Sequence, residues 1–238
     1  PVPDERGAAV AEKILSLVSS AREGDVVLAL LSGGASALCA LPAAGISLAD
    51  KRSVTDLLLS CGASIQEVNC VRKHLSALKG GRLAAAAYPA RTVVICVSDV
   101  VGDDLSVIGS GPFYPDSTTY ADALSVIRRY GLDGRVPPPV LDLLRRGADG
   151  SIAETMKPRN VFSGNVIHHI AMSSGRMSER AALTASSLGY ETAVLSASVE
   201  GDTAEAAGLH IRIVRDSLSR RTLNKPFCLL SGGETTVR

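Results

Sequence analysis

Apolar residues along this chain change spacing repeatedly, and the changes divide it into helices and strands. Val10, Ile14, Leu17 and Val18 fall on one face of a helix over 4–22, which closes at the turn Glu23-Gly24-Asp25. The continuous apolar run 26–31 then predicts a buried strand. A second helix runs from Ser47-Leu48-Ala49-Asp50 through the leucines at 57–59 to Cys61-Gly62. Ser64-Ile65-Gln66-Glu67 has the form of a capping box and opens a third helix, extending to about Leu75. Lys79-Gly80-Gly81 punctuates the pattern before the alanine-rich 83–87, and the β-branched run 92–97 predicts a second buried strand.

Further along, periodicity predicts a helix over 119–130 ended by Gly131, and Pro137-Pro138-Pro139 starts a short one over 140–146. The stretch 147–157 is polar and rich in breakers, the composition of a linker. Beyond it the pattern gives a short strand near 160–162, a long helix over 166–188 and a strand over 192–196. A helix over 203–220 and a last strand over 227–230 complete it. Strands without polar alternation, separated by helices, imply an α/β fold in three layers, a mostly parallel sheet covered on both faces. Ligands of such sheets bind outside the carboxyl ends of the strands.

Composition narrows the partners. A chain of 238 residues suffices for one large α/β domain or two unequal ones, and 46% hydrophobic residues exclude a disordered chain. Aromatic residues at 3%, without tryptophan, offer no platform for stacking bases, and 25 basic against 24 acidic side chains give no charged block. Nucleic acid is therefore not an expected partner. The five cysteines are scattered and never form Cys-x-x-Cys, which reads as buried thiols in a reducing compartment. No apolar stretch approaches the roughly 20 residues that span a bilayer, and no basic-then-apolar leader opens the chain. A cytoplasmic protein without a membrane partner is expected, or a mitochondrial one if a leader precedes the abrupt Pro1-Val2-Pro3.

The candidate chemistry begins with a repeat: Leu-Leu-Ser-Gly-Gly occurs at 30–34 and again at 229–233. A strand that stops in Ser-Gly-Gly leaves backbone N–H groups uncovered, as a phosphate or carboxylate requires. Ser32, Gly33, Gly34 and Ser36 form the first such loop, whose alternative reading is a tight strand-to-helix turn. It matches neither Gly-x-Gly-x-x-Gly nor the Walker pattern. Asn69, Arg72, Lys73, Ser76 and Lys79 recur at three or four residues, one helical stripe suited to an anion; the alternative is a solvated face with His74 a bystander. Gly80 and Gly81, between Lys79 and Arg82, would let backbone and charge approach the same anion. Ser98-Asp99 and Asp103-Asp104, followed by Ser110-Gly111-Pro112, place carboxylates at a strand end. There Asp99, above all, or Asp103 suits Mg²⁺ or proton acceptance, against the alternative of capping aspartates. The cysteines and four histidines lack metal spacing, and without Gly-x-Ser-x-Gly a serine nucleophile is unsupported.

Read together, these loops resemble the type II glycerate kinases, the glycerate 2-kinases. The likeness is strongest in LLSGGASAL at 30–38, GASIQEVNCVRKHLSALKGGRLA at 62–84, VSDVVGDDLSVIGSGP at 97–112 and CLLSGGETTV at 228–237. Gly164-Asn165-Val166 and Glu200-Gly201-Asp202 are weaker signatures. The resemblance implies transfer of the γ-phosphoryl group of ATP, with Mg²⁺, to the 2-hydroxyl of D-glycerate. It also implies a cleft between a large Rossmann-like domain, residues 1–225 here, and a second α/β domain that begins at 226–238. On that reading Ser32, Gly33, Gly34, Ser36, Asn69, Ser110 and Gly111 contact anionic ligand, while Arg72, Lys73 and Lys79 neutralise phosphate or carboxylate. Asp99 or Asp103 serves metal or base, and Ser231, Gly232, Gly233 and Glu234 face them across the cleft.

Two departures stand out. Ala35 replaces the usual third glycine of the first loop, and the family's upstream region and its downstream Gly-Gly-Arg-Asn-Gln-Glu motif, which hold an essential lysine and arginine, are not in this sequence. The chain alone is thus expected to be incomplete for turnover. The rivals are a hydroxypyruvate-reductase-type oxidoreductase, a label some relatives carry, and a non-catalytic anion-binding domain. Lack of Gly-x-Gly-x-x-Gly and of a His-carboxylate acid pair counts against the reductase. A homodimer stays open.

Overall fold

A computed structural model describes residues 2–160, 164–220 and 226–237. They form two compact units: Pro1–Cys96 with Leu105–His169, and Val97–Asp104 with Ile170–Arg238. The first holds α1 (Glu5–Ser19), β1 (Val26–Leu31), α2 (Ala35–Leu38), α3 (Leu48–Ser60), α4 (Ile65–His74), α5 (Arg82–Ala87), β2 (Arg91–Val97), α6 (Tyr120–Arg129) and α7 (Pro138–Ala148). A 3₁₀ turn spans Ile108–Ser110.

Local chemistry explains where these helices start. Asp4 caps α1 by accepting from the Gly7 amide, and reciprocal capping boxes open α3 (Ser47 with Asp50), α4 (Ser64 with Glu67) and α6 (Thr119 with Asp122). The proline run supplies the first turn of α7, where a missing N–H costs nothing. The core of this unit lies among α3, α4, α6 and α7, with Val54, Leu58, Val71, Ile127 and Leu144 almost wholly buried. Gly147 abuts the Tyr120 ring so closely that a Cβ there would overlap it.

β1 and β2 pair in parallel, from Val26 opposite Arg91 to Leu31 opposite Cys96, and β3 (Val166–Met172) completes the order β1-β2-β3. β2 buries Thr92, Val94 and Cys96 on one face. β1, expected as a buried strand, instead exposes Val26, Leu28 and Leu30, because its side chains alternate and only one face is packed.

The expected helix over 166–188 is in fact two elements, β3 and α8 (Ser174–Ser187), parted at Ser173, whose φ of −144° and ψ of 168° are extended. Val166, His168 and Ile170 are half-buried while their neighbours are exposed, a strand's period of two. In the second unit β4 (Glu191–Val199) pairs in parallel with β5 (Phe227–Gly233), with irregular register between Val194 and Ser196 and again before Val199. α8 and α9 (Thr203–Arg220) accompany this two-stranded sheet, and α9 buries none of its residues. The chain is thus a mixed α/β protein with parallel sheets. The strand expected at 160–162 falls mostly outside the described residues. No helix among the described residues is long and apolar enough to cross a membrane.

The stretch 147–157, polar enough to read as a linker, is packed instead. Thr155 and Met156 are buried, and Met156 exchanges backbone hydrogen bonds with Gly80 and Asp116. Its polarity is consumed inside. Asp116, fully buried, accepts from Lys73 Nζ at 3.2 Å, from the Thr118 amide at 3.1 Å and hydroxyl at 2.8 Å, and from Thr155 Oγ1 at 3.1 Å. Glu154 adds Oε2 at 3.3 Å from His74 Nε2, and His74 Nδ1 lies 2.8 Å from the Cys70 carbonyl. Burial pushes His74 below its ordinary pKa, against the pull of those acceptors.

Candidate functional site

In the first unit a cavity of about 250 Å³ is bordered by Ser36, Lys51, Arg52, Asp56, Arg72 and Lys79. α4 directs Arg72 to it, and the turn that follows sets Lys79: the Ser76 hydroxyl accepts from the Leu78 and Lys79 amides at 3.3 and 3.4 Å and donates to Leu41 O at 3.2 Å. Lys79 is 1% exposed and donates to the Gly109 carbonyl at 3.0 Å. Burial first, then the Lys51 charge, pushes its pKa down to about 7. Lys51 is brought down to about 8, again by burial and then by Arg72. Burial and like charge together disfavour the charged form of both lysines.

Not all the residues expected here share that role. Arg72 and Lys73 are consecutive on a helix, so about 100° separates them. Lys73 points into the Asp116 network rather than at the cavity, and its charge is already paired. Ser110 Oγ donates to Asn69 Oδ1 at 3.2 Å and lies 3.0 Å from Ser36 Oγ, so the Ser36 hydroxyl must donate to Ser110. Those protons are committed within the protein. Ser110 and Gly111 sit at φ of +62° and +60°, and their carbonyls accept from the Gly80 and Gly81 amides at 3.2 and 2.7 Å. That removes the glycine pair's amides from any ligand. Ser32, Gly33 and Gly34 form the turn after β1, with Gly34 at φ +84°, and only Ser36 of this loop borders the cavity. The four residues of α2 are too few to build a helix dipole.

The second unit has its own cavity, about 600 Å³, bordered by Asp99, Ser174, Ser231, Gly232, Gly233 and Glu234. Here Ser-Gly-Gly is the end of a strand, and Gly233 is demanded by close approach of backbone. A Cβ on Gly232 would strike Ser174 Oγ; one on Gly233, at φ +148°, would strike the Val199 backbone. Gly233→Ala is accordingly expected to cost about 1–3 kcal/mol by forcing β5 from β4. Urea denaturation checks it, and an unshifted midpoint would show slack in that register. Ser231 Oγ lies 2.7 Å from His210 Nε2, whose Nδ1 lies 2.6 Å from the Ala206 carbonyl. His210 had no signal in the sequence beyond being an isolated histidine on a helix.

Asp103 stands apart from this cavity lining, its φ at +55° and its amide donating to the Val100 carbonyl at 3.1 Å. Among the described residues no three His, Cys, Asp or Glu side chains converge on a metal position. Asp99 and Glu234 do border one cavity, and Mg²⁺ characteristically takes one or two carboxylates with the rest of its shell from water and phosphate oxygens. That donor set fits.

A family model described as a domain of unknown function, DUF4147, matches residues 1–145. The glycerate 2-kinase of Pyrococcus horikoshii is 42% identical over the whole of this chain and 53% of its own length. The glycerate kinase of Macaca fascicularis is 36% identical, with 68% of its length covered. The chain belongs to the glycerate kinase family. A crystal structure of glycerate kinase from Thermotoga maritima matches with a TM-score of 0.85 at 38% identity, over all of this chain and 55% of that one. Family members from Agrobacterium vitis carry a provisional hydroxypyruvate reductase name. The chain spans about half the length of the first of these relatives. Of the family segments read in the sequence, 62–84 lies in the first unit and 228–237 in the second, while 97–112 is divided between them at Asp104.

Proposed function

We propose that this chain carries binding groups of an enzyme that phosphorylates D-glycerate at its 2-hydroxyl with ATP, giving 2-phosphoglycerate. The observation that carries the reading is the convergence of Arg72 and Lys79 with further cations on one cavity, in a chain 42% identical to a glycerate 2-kinase. Phosphoryl transfer asks a protein mainly for position and charge. Arg72 and Lys79 supply charge to the anionic ligand. Asp99, at the end of β2, accepts the proton of the substrate hydroxyl, and the Ser231-Gly232-Gly233 edge presents small groups and a hydroxyl to a phosphate. Asp99 and Glu234 would hold Mg²⁺, which neutralises phosphate charge when bound. Lys73 belongs to the structural network.

The test is a coupled assay of ADP release with ATP and D-glycerate, with ³¹P NMR of the product. A 2-phosphoglycerate resonance is expected from enzyme containing this chain. NADH oxidation on hydroxypyruvate, with no ADP release, would replace the kinase by the reductase. Binding heat from ATP or glycerate with both assays silent would leave an anion-binding domain.

A further inference from the structure

Lys51 is a buried cation of the first unit whose ammonium group has no structural role among the described residues. It lies on the core-facing stripe of α3 with Leu48, Val54 and Leu58, and is 5% exposed. Its Nζ is sealed from solvent and has no hydrogen-bond partner. An ammonium group buried without an acceptor costs several kcal/mol, so such a group is either neutral or compensated by something other than the described residues. The space it borders is the cavity shared with Arg72 and Lys79, where Arg52 adds a fourth cation and its Nε likewise lacks a partner. Against these stands one bordering carboxylate, Asp56, whose influence is felt at Arg72.

Size and charge then restrict the occupant. At about 250 Å³ the cavity is small beside the range of about 300–1,000 Å³ that holds drug-sized ligands, and a group of phosphate size fits within it. Its border includes Thr55, whose hydroxyl is not free for an anion because it donates to the Lys51 carbonyl at 3.0 Å. A monoanion would leave two or more like charges facing each other at close range, whereas a dianion would offset most of them. Lys as a compact point charge and Arg as a planar fork together suit the several oxygens of a phosphate group better than the two of a carboxylate.

We propose that the Lys51–Arg72–Lys79 cavity is a binding site for a phosphate-type dianion, to whose affinity the Lys51 charge contributes. The inference rests on the anion-binding part of the proposed function and not on turnover. The dianion is either free inorganic phosphate or the phosphate group of a small phosphorylated acid, and the two are separable by experiment.

Isothermal calorimetry with inorganic phosphate at pH 6.5, beside sodium chloride of matched ionic strength, provides the test on the protein and on Lys51→Met. Phosphate is expected to bind the parent protein and to lose at least about tenfold in affinity in Lys51→Met. The variant's own melting temperature, measured without ligand, should be unchanged or higher, since it removes an unpartnered buried charge. Lys51→Gln gives the same comparison should the Met variant misfold. 2-Phosphoglycerate binding far more tightly than phosphate, with the same loss at Lys51, would make the occupant the phosphorylated acid; equal or weaker binding would make it free phosphate. Equal phosphate affinity in parent and variants would overturn the role of Lys51 even if ADP release is normal. Absence of phosphate heat beyond that of chloride would overturn the site, again independently of turnover.

Discussion

Replacement of Asp116 by alanine is expected to cost about 3–5 kcal/mol of folding stability, because it strands a buried Lys73 ammonium. Asp116 also takes the Thr118 amide and the Thr118 and Thr155 hydroxyls, so four donors lose their acceptor together. Chemical denaturation at pH 7 measures it, and a loss below about 1 kcal/mol would mean Lys73 finds another acceptor without rearrangement. The pH dependence has a definite sign. Burial pushes the Asp116 carboxyl up, but the charge of Lys73 and the hydrogen bonds of Thr118 outweigh it and hold it below the ordinary 3.8. Its contribution is therefore complete above that value and is lost as pH falls through the folded-state value. The stability gap between the parent and Asp116→Asn should close below about pH 4.

Asp99→Asn should leave folding intact, since the side chain is isosteric and lies in a loop bordering a cavity, yet reduce phosphoryl transfer by about 10²–10⁴-fold. The expected pattern is a fall in kcat with KM for glycerate little changed, because proton acceptance matters in the transition state more than in binding. Activity within about threefold of the parent would remove Asp99 from the reaction.

The sequence was most legible where its signals are local. Ser64 with Glu67 announces the start of α4 within four residues, and the 26–31 and 92–97 runs announce their strands. Signals that depend on distant partners were not readable. Nothing near Thr155 says that its hydroxyl will meet Asp116, 39 residues away, so a polar, breaker-rich stretch passed for a linker. The segment 166–172 concealed its period because His168 and His169 blur the apolar alternation, and a following amphipathic helix continued the pattern. In the site, spacing could mark a cationic helix without deciding which way Arg72 and Lys73 each face. Lys51 drew no reading from the sequence. Its signal was there in the three-residue steps from Leu48 and to Val54, a cation set on an apolar stripe.

The two Ser-Gly-Gly copies are identical in sequence and unlike in what they would tolerate. At Gly34 a methyl group would meet only the Leu38 side chain at 3.5 Å, so the obstacle is its backbone angle, and asparagine, which visits that region readily, is the natural substitute. At Gly233 the obstacle is the Val199 backbone, which cannot step aside, whereas at Gly232 it is the Ser174 hydroxyl, which can rotate away. Among natural variants of this protein Gly34 should therefore drift and Gly233 stay fixed, although a comparison of the two motifs alone would rank them equal.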